Sequence, residues 1–272
     1  MTTQVKAKAT TRPELSSFQQ WWVLTLRLIA PSLRSGEVLT AILAPLVFTV
    51  GFFIPLQKVM DLQLGDSISY AQFLMPLIML QSLSFTGITA AFRASTDAVE
   101  GINRRFGAMP IGAAIPLAAR MASNMFRCIV SVIAAIICGY VIGFRFTDRI
   151  EYTVGFLAFA LLVGAALALG GDVLGSLSSS PEATTQILTL PQLILGLLSS
   201  GFAPVSIFPS YLQGFVRNQP VSQFSYALRG LGGDPTLGEG VTWGLMGPPL
   251  AWAIGMIVVF VPISIRANSR RA

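Results

Sequence analysis

Six apolar runs, each as long as the roughly 20 residues that carry a helix across a hydrocarbon core, recur along the chain at 38–57, 67–92, 121–144, 152–171, 183–203 and 241–265. Polar or turn-forming stretches separate them. The pattern predicts an all-α membrane protein of six transmembrane helices. The third run is the least uniform, because Arg127 sits one turn inside it. With Arg120, it is expected to snorkel toward the near interface. Proline falls inside the runs at Pro45, Pro55, Pro76, Pro191, Pro248 and Pro249. Each removes a backbone donor and bends its helix, either as an ordinary membrane-helix kink or as a hinge.

Three segments belong to no run. In 14–34, Leu15, Phe18, Trp22, Leu26 and Ile29 recur at helical spacing beside Gln19, Gln20, Arg27 and Arg34, which predicts an amphipathic helix lying in the membrane interface. Trp21 and Trp22 suit the headgroup region, and Pro31 with Gly36 is expected to turn the chain into the first span. In 93–112, Asp97 can cap a short helix with Glu100 three residues on, while Arg104 and Arg105 complement its carboxyl end. Gly107 and Pro110 stop it, and Ile102, Phe106 and Met109 offer apolar contacts to a soluble partner. A solvated turn is the alternative. In 204–231, Pro209 and Pro220 stand at helix starts and Arg217 and Arg229 near the ends of two pieces too short to cross. Phe215 and its neighbours give the first piece an apolar side, and Phe224 to Leu231 the second. Two re-entrant helices in the outer leaflet are expected, with an ordered outer cap as the alternative.

Composition agrees with burial in a bilayer. Of 272 residues 53% are hydrophobic and 11% charged, against about 25% charged in a soluble domain. The net charge of +6 would suggest nucleic acid on a soluble protein. Here it follows from topology. If both termini are cytoplasmic, thirteen of the 18 Lys and Arg fall on that side, and only Lys58, Arg145, Arg149, Arg217 and Arg229 on the other, so the orientation is N-in and C-in. No partner nucleic acid is implied. The chain contains no His, which excludes His-based catalysis, and its two cysteines, Cys128 and Cys138, are about 15 Å apart on one helix, beyond disulfide reach. The first 36 residues lack a signal-peptide pattern and are expected to remain on the mature protein. No Gly-x-x-x-x-Gly-Lys-(Ser/Thr) phosphate loop is present, so ATP, if used, is bound elsewhere.

The three segments resemble the membrane subunits of type-2 ABC exporters, in the daunorubicin-resistance branch that exports anthracyclines and, in mycobacteria, the lipid phthiocerol dimycocerosate. The first loop of that branch is matched by Asp97, Gly101, Ile102, Arg105, Phe106, Met109, Pro110 and Ile111, with Arg120 beyond; Asn103 stands where an acid is common. The resemblance continues in Ser180-Pro181-Glu182-Ala183 with Gln186. It resumes from Gly201 through Phe208-Pro209, Leu212, Phe215 and Pro220-Val221 to Leu228-Arg229, where Phe208 and the inserted Gln219 depart from the pattern. The resemblance implies a tail and interfacial helix at 1–36, a permease domain at 37–265 and a tail at 266–272. It also implies that Asp97, Glu100, Gly101, Ile102, Arg104, Arg105, Phe106, Met109 and Pro110 form a coupling helix docked on an ATPase. Phe208, Pro209, Phe215, Arg217, Pro220 and Arg229 would mark the outer hairpin.

It implies further a non-catalytic permease in a bacterial, actinobacterial, cytoplasmic membrane. The chain would carry no cofactor, ATP and Mg being on two copies of the ATPase, with a second permease, membrane lipids and a lipophilic substrate as further partners. A paralogue fits the second permease better than an identical copy. The alternatives are an ion-coupled secondary transporter, which needs mid-membrane ionisable groups where only Asp172 comes near, and a non-transporting scaffold.

Overall fold

A computed structural model describes residues 16–34, 36–64, 68–102, 105, 112, 114–147, 149–237 and 241–269. Among these the ordered elements are helices: α1 (Ser17–Arg34), α2 (Glu37–Leu64), α3 (Tyr70–Val99), α4 (Ala114–Ile142), α5 (Ile150–Leu177), α6 (Pro181–Leu197), α7 (Ser210–Asn218), α8 (Pro220–Leu231) and α9 (Trp243–Ser269), with short 3-10 turns between some of them. Five of these, α2, α3, α4, α5 and α9, are long and apolar enough to cross a membrane. The expected fifth span is shorter than its apolar run: α6 has 17 residues, or about 25 Å of helix against a hydrocarbon core of about 30 Å. It stops at Leu197 because the chain turns through Ser199 to Ala203 instead of continuing as helix.

α3 is the axis of the bundle. It is the most enclosed of the long helices, and it packs on α5 through residues too small to hold the backbones apart. A Cβ on Gly171 would fall 2.1 Å from the Gly87 carbonyl oxygen, and one on Gly175 would fall 2.0 Å from that of Ala91. Such close approach is how helices associate where lipid removes the hydrophobic drive between them. Around this seam α4, α6 and α8 add further contacts to α3, while α9 leans on α5. Leu80, Leu83, Cys128, Val163 and Phe224 are all buried in the resulting core. Both cysteines are free, and Cys128 is fully buried.

Two expectations about helix ends are corrected. Pro31 lies inside α1, so the turn into α2 is made at Gly36, whose φ of 81° suits a residue without a Cβ. α3 runs on through Arg93 and Asp97 to Val99, so Asp97 sits in its last turn and opens no new helix; Gly101, at φ 70°, breaks it. The helix persists because Thr96 and neighbouring residues keep their intrahelical bonds: the Glu100 N–H still donates to the Thr96 carbonyl at 2.9 Å.

α2 is not uniform. A π turn at Thr49–Phe53 interrupts it just after Pro45, and the Thr49 hydroxyl donates to the Pro45 carbonyl at 2.7 Å. The turn presents Phe52 to Phe202 and Phe53 to Tyr70, with ring centroids 5.5 and 5.8 Å apart.

The Gly175 seam generates a stability prediction. Gly175→Leu should force α3 and α5 apart and cost about 1–3 kcal/mol or more, seen as a lower melting temperature in detergent. Gly247→Leu, at a glycine with nothing within 4 Å, should leave melting unchanged.

Candidate functional site

Where α3 passes into the loop toward α4, six charged side chains gather. This is the loop end of the bundle, and the opposite end, where α7 and α8 lie, is the hairpin end. Glu37 opens α2, where a carboxylate complements the helix dipole. Its Oε2 accepts from Arg93 Nη1 at 2.9 Å, from Arg127 Nη1 at 2.6 Å and from the Ser32 hydroxyl at 2.6 Å. One carboxylate oxygen thus joins α1, α2, α3 and α4. Arg93 reaches further, from Nη2 to the Leu28 carbonyl at 3.4 Å, and Arg127 donates through Nη2 to Asn124 Oδ1 and through Nη1 to the Ser32 hydroxyl.

A second pair crosses from α4 to α5. Arg120 donates from Nε to Asp172 Oδ1 at 2.9 Å and from Nη2 to Oδ2 at 3.3 Å, the two-pronged geometry that suits a guanidinium and a carboxylate. Both side chains are almost completely buried. Asp97 lines a small polar cavity with Arg93, Arg120, Arg127 and Asp172. Three guanidinium groups thus face three carboxylates, Glu37, Asp97 and Asp172, and the cluster is formally neutral. That balance is what allows it to leave water, since an unmatched buried ion costs several kcal/mol.

The snorkelling expected of Arg120 and Arg127 is therefore corrected: Arg127 is 1% exposed and turned inward to Glu37. An acid within reach outweighs the interface, because pairing and hydrogen bonds replace the lost hydration. Sequence reasoning missed Glu37. Its signal was an acid directly after the helix-breaking Gly36, facing arginines in two other apolar runs.

Of the loop residues singled out from sequence, Asp97 is half-buried in the cluster and Glu100 is exposed beside it. Gly101 and Ile102 are half-buried. Arg105 is exposed, in a helical turn whose N–H donates to the Gly101 carbonyl at 3.3 Å. Arg104, Phe106, Met109 and Pro110 lie outside the described residues.

At the hairpin end, the 204–231 segment forms α7 and α8 with unequal burial. Pro209 precedes α7, Phe208 is half-buried, and Phe215 and Arg217 are exposed. Pro220 starts α8, whose Phe224, Ala227, Leu228 and Leu231 are buried in the bundle. Arg229 is inside as well. Its Nε donates to Asp234 Oδ2 at 2.7 Å, and its guanidinium lies 4.1 Å from the Phe73 ring centroid. Gln219, the residue inserted relative to the family pattern, is buried and donates from Nε2 to the Leu195 and Leu198 carbonyls at 2.8 and 2.7 Å. It thereby satisfies acceptors that the end of α6 leaves open.

The model of the ABC-2 family transporter proteins matches residues 52–266. The doxorubicin resistance ABC transporter permease protein DrrB of Mycobacterium tuberculosis is 41% identical over 263 residues, covering 94% of this chain and 91% of the relative. The "Probable doxorubicin resistance ABC transporter permease protein DrrC" of the same species is 29% identical over 231 residues, 84% of this chain and 80% of the relative. The daunorubicin resistance ABC transporter permease protein DrrB1 of Streptomyces coeruleorubidus is 24% identical over 234 residues, 85% of this chain and 78% of the relative.

The buried pair between α4 and α5 can be tested by subtraction. Asp172→Asn leaves Arg120 without its carboxylate and should destabilise the fold by about 3–5 kcal/mol. The double variant Arg120→Met/Asp172→Leu should recover most of the loss, with thermal melting of the purified protein as the readout.

Proposed function

The chain belongs to the ABC-2 transporter family, and we propose that it is the membrane-spanning permease of an ATP-driven exporter for large lipophilic molecules. The observation that carries this reading is 41% identity to a DrrB permease along 94% of the chain. The named relatives confer resistance to doxorubicin or daunorubicin, flat polycyclic drugs, so an anthracycline-type drug or a complex lipid such as phthiocerol dimycocerosate is the cargo class. Two M. tuberculosis permeases, DrrB and DrrC, both align with this chain, which supports a paralogue as the second permease. Two copies of a separate ATPase complete the complex and hold ATP and Mg.

In this reading both termini are cytoplasmic and the loop end faces the ATPases. The chain crosses six times, with α6 as a short fifth crossing that the turn at Ser199 to Ala203 and the α7–α8 hairpin complete in the outer leaflet. The segment 93–112 is the coupling element. Arg105 is exposed beyond the end of α3, available to a soluble partner, while Asp97 and Arg93 tie the same helix end to the buried charge cluster. Closure of the ATPase dimer then moves the end of α3 together with α1, α2, α4 and α5, because all five share that cluster. Since α3 is one continuous 30-residue helix, its displacement reaches the hairpin end, where Phe73 packs under Arg229. Cargo biases the switch only by binding the two states unequally.

Replacing Arg105 and Phe106 together by Ala should leave membrane insertion and complex assembly intact while lowering export and cargo-stimulated ATP hydrolysis at least about tenfold. Transport assays in inverted vesicles measure both. Normal export by this variant, or labelling of an Arg105→Cys variant only from outside the cell, would overturn the reading.

A further inference from the structure

Midway along the bundle, α3, α5, α6 and α9 enclose a cavity of about 280 Å³, closed toward the hairpin end by Pro220 and Phe224 of α8. Its wall on one side is the close seam of α3 and α5, where Gly87, Gly170 and Gly171 line it, and on the other α6 and α9 flank the space without packing substantially on each other among the described residues. The rim residues Leu174 and Pro191 are exposed. The volume falls just short of the range for small-molecule sites, about 300–1,000 Å³.

The lining is hydrocarbon but for two side chains. The Ser84 hydroxyl is used within its own helix, donating to the Leu80 carbonyl at 2.9 Å. Gln192 differs. Its Nε2 donates to Oε1 of Gln81 at 2.8 Å, yet its own Oε1 has no partner, and neither has Nε2 of Gln81, a residue 1% exposed. Exchanging oxygen and nitrogen on both carboxamides preserves the bond between them and still leaves one unpaired atom on each. In hydrocarbon an atom left unpaired in this way is destabilising. Both atoms are closed to solvent in this arrangement and only Gln192 lines the cavity, so a hydroxyl, which both donates and accepts, meets either arrangement as the half-buried Gln192 carboxamide turns toward it.

We propose that this cavity binds a lipophilic molecule carrying a hydroxyl, which enters sideways from the bilayer between α6 and α9 and hydrogen-bonds to Gln192. That the occupant is the exporter's cargo rests on the permease reading; that the cavity is occupied does not.

The test is photolabelling of the full-length protein in lipid vesicles with two probes, a long-chain alkanol and the matching alkane, each bearing a diazirine, and adducts mapped by mass spectrometry. The alkanol should label Leu188, Met256 and Phe260 well above Leu46 and Val50, which are exposed on α2. Leu188→Trp or Leu195→Trp should cut cavity labelling at least about fivefold while labelling of α2 stays constant, and Gln192→Leu should cut alkanol labelling about fivefold without changing alkane labelling. Cavity labelling no higher than on α2, or labelling that survives both Trp variants, overturns the site. Equal loss of both probes in Gln192→Leu overturns the hydroxyl contact. Cavity labelling together with an assembled complex that exports nothing would leave the site standing and overturn the exporter reading.

Discussion

A guanidinium group that leaves water for a protein interior surrounded by lipid must find a counter-charge there, and at the loop end Glu37 supplies it for two arginines at once. Its Oε2 holds Arg93 and Arg127 as well as the Ser32 hydroxyl. The position of α1 against α4, the start of α2 and the end of α3 are all fixed through that carboxylate. With Arg120 and Asp172 bridging α4 to α5, four long helices and the amphipathic α1 share one neutral cluster. A group of this kind adds little net stability compared with an apolar core, but it tolerates no missing member. It therefore specifies one relative arrangement of the helices, and moves as a unit when any helix in it moves.

The hairpin end is tied differently. There the ties are amide-to-carbonyl bonds, with the Gln72 side chain reaching the Arg145 and Gly232 carbonyls at 3.0 and 2.6 Å and Gln219 finishing α6. Arg229 is the charged exception, balanced by Asp234 five residues away. Because those partners are local in sequence or are backbone atoms, the segments at this end depend on few distant side chains. α3 connects the two regimes, and its glycine seam with α5 holds the two helices close.

Apolar run length made the long helices legible in sequence, as did the amphipathic spacing of α1 and the prolines that open α7 and α8. Burial within the bundle was not. Arg127 and Arg120 look like interface residues when only their own helix is read, and their partners Glu37 and Asp172 lie 90 and 52 positions away. α6 read as a full span because Leu198 to Ala203 is as apolar as the helix before it. Hydropathy does not register that the chain turns there, nor that Gln219 caps the helix it ends. Asp97 and Glu100 have the spacing of a helix start, but the preceding residues are good helix formers already held in α3, and propagation costs less than a new nucleus. Gln192 is an ordinary polar residue until its neighbour Gln81 is placed against it.

The π turn in α2 has a geometric consequence. Phe48 and Met60 both face the interior, yet twelve positions of regular helix would rotate the second about 120° away from the first. One residue absorbed by the wider turn leaves eleven effective steps, and the offset shrinks to about 20°. The irregularity thus works as a phase corrector: it lets one helix keep a single inward meridian along its whole length, and shortening the segment by one residue would swing everything beyond it around the axis by more than a quarter of a revolution.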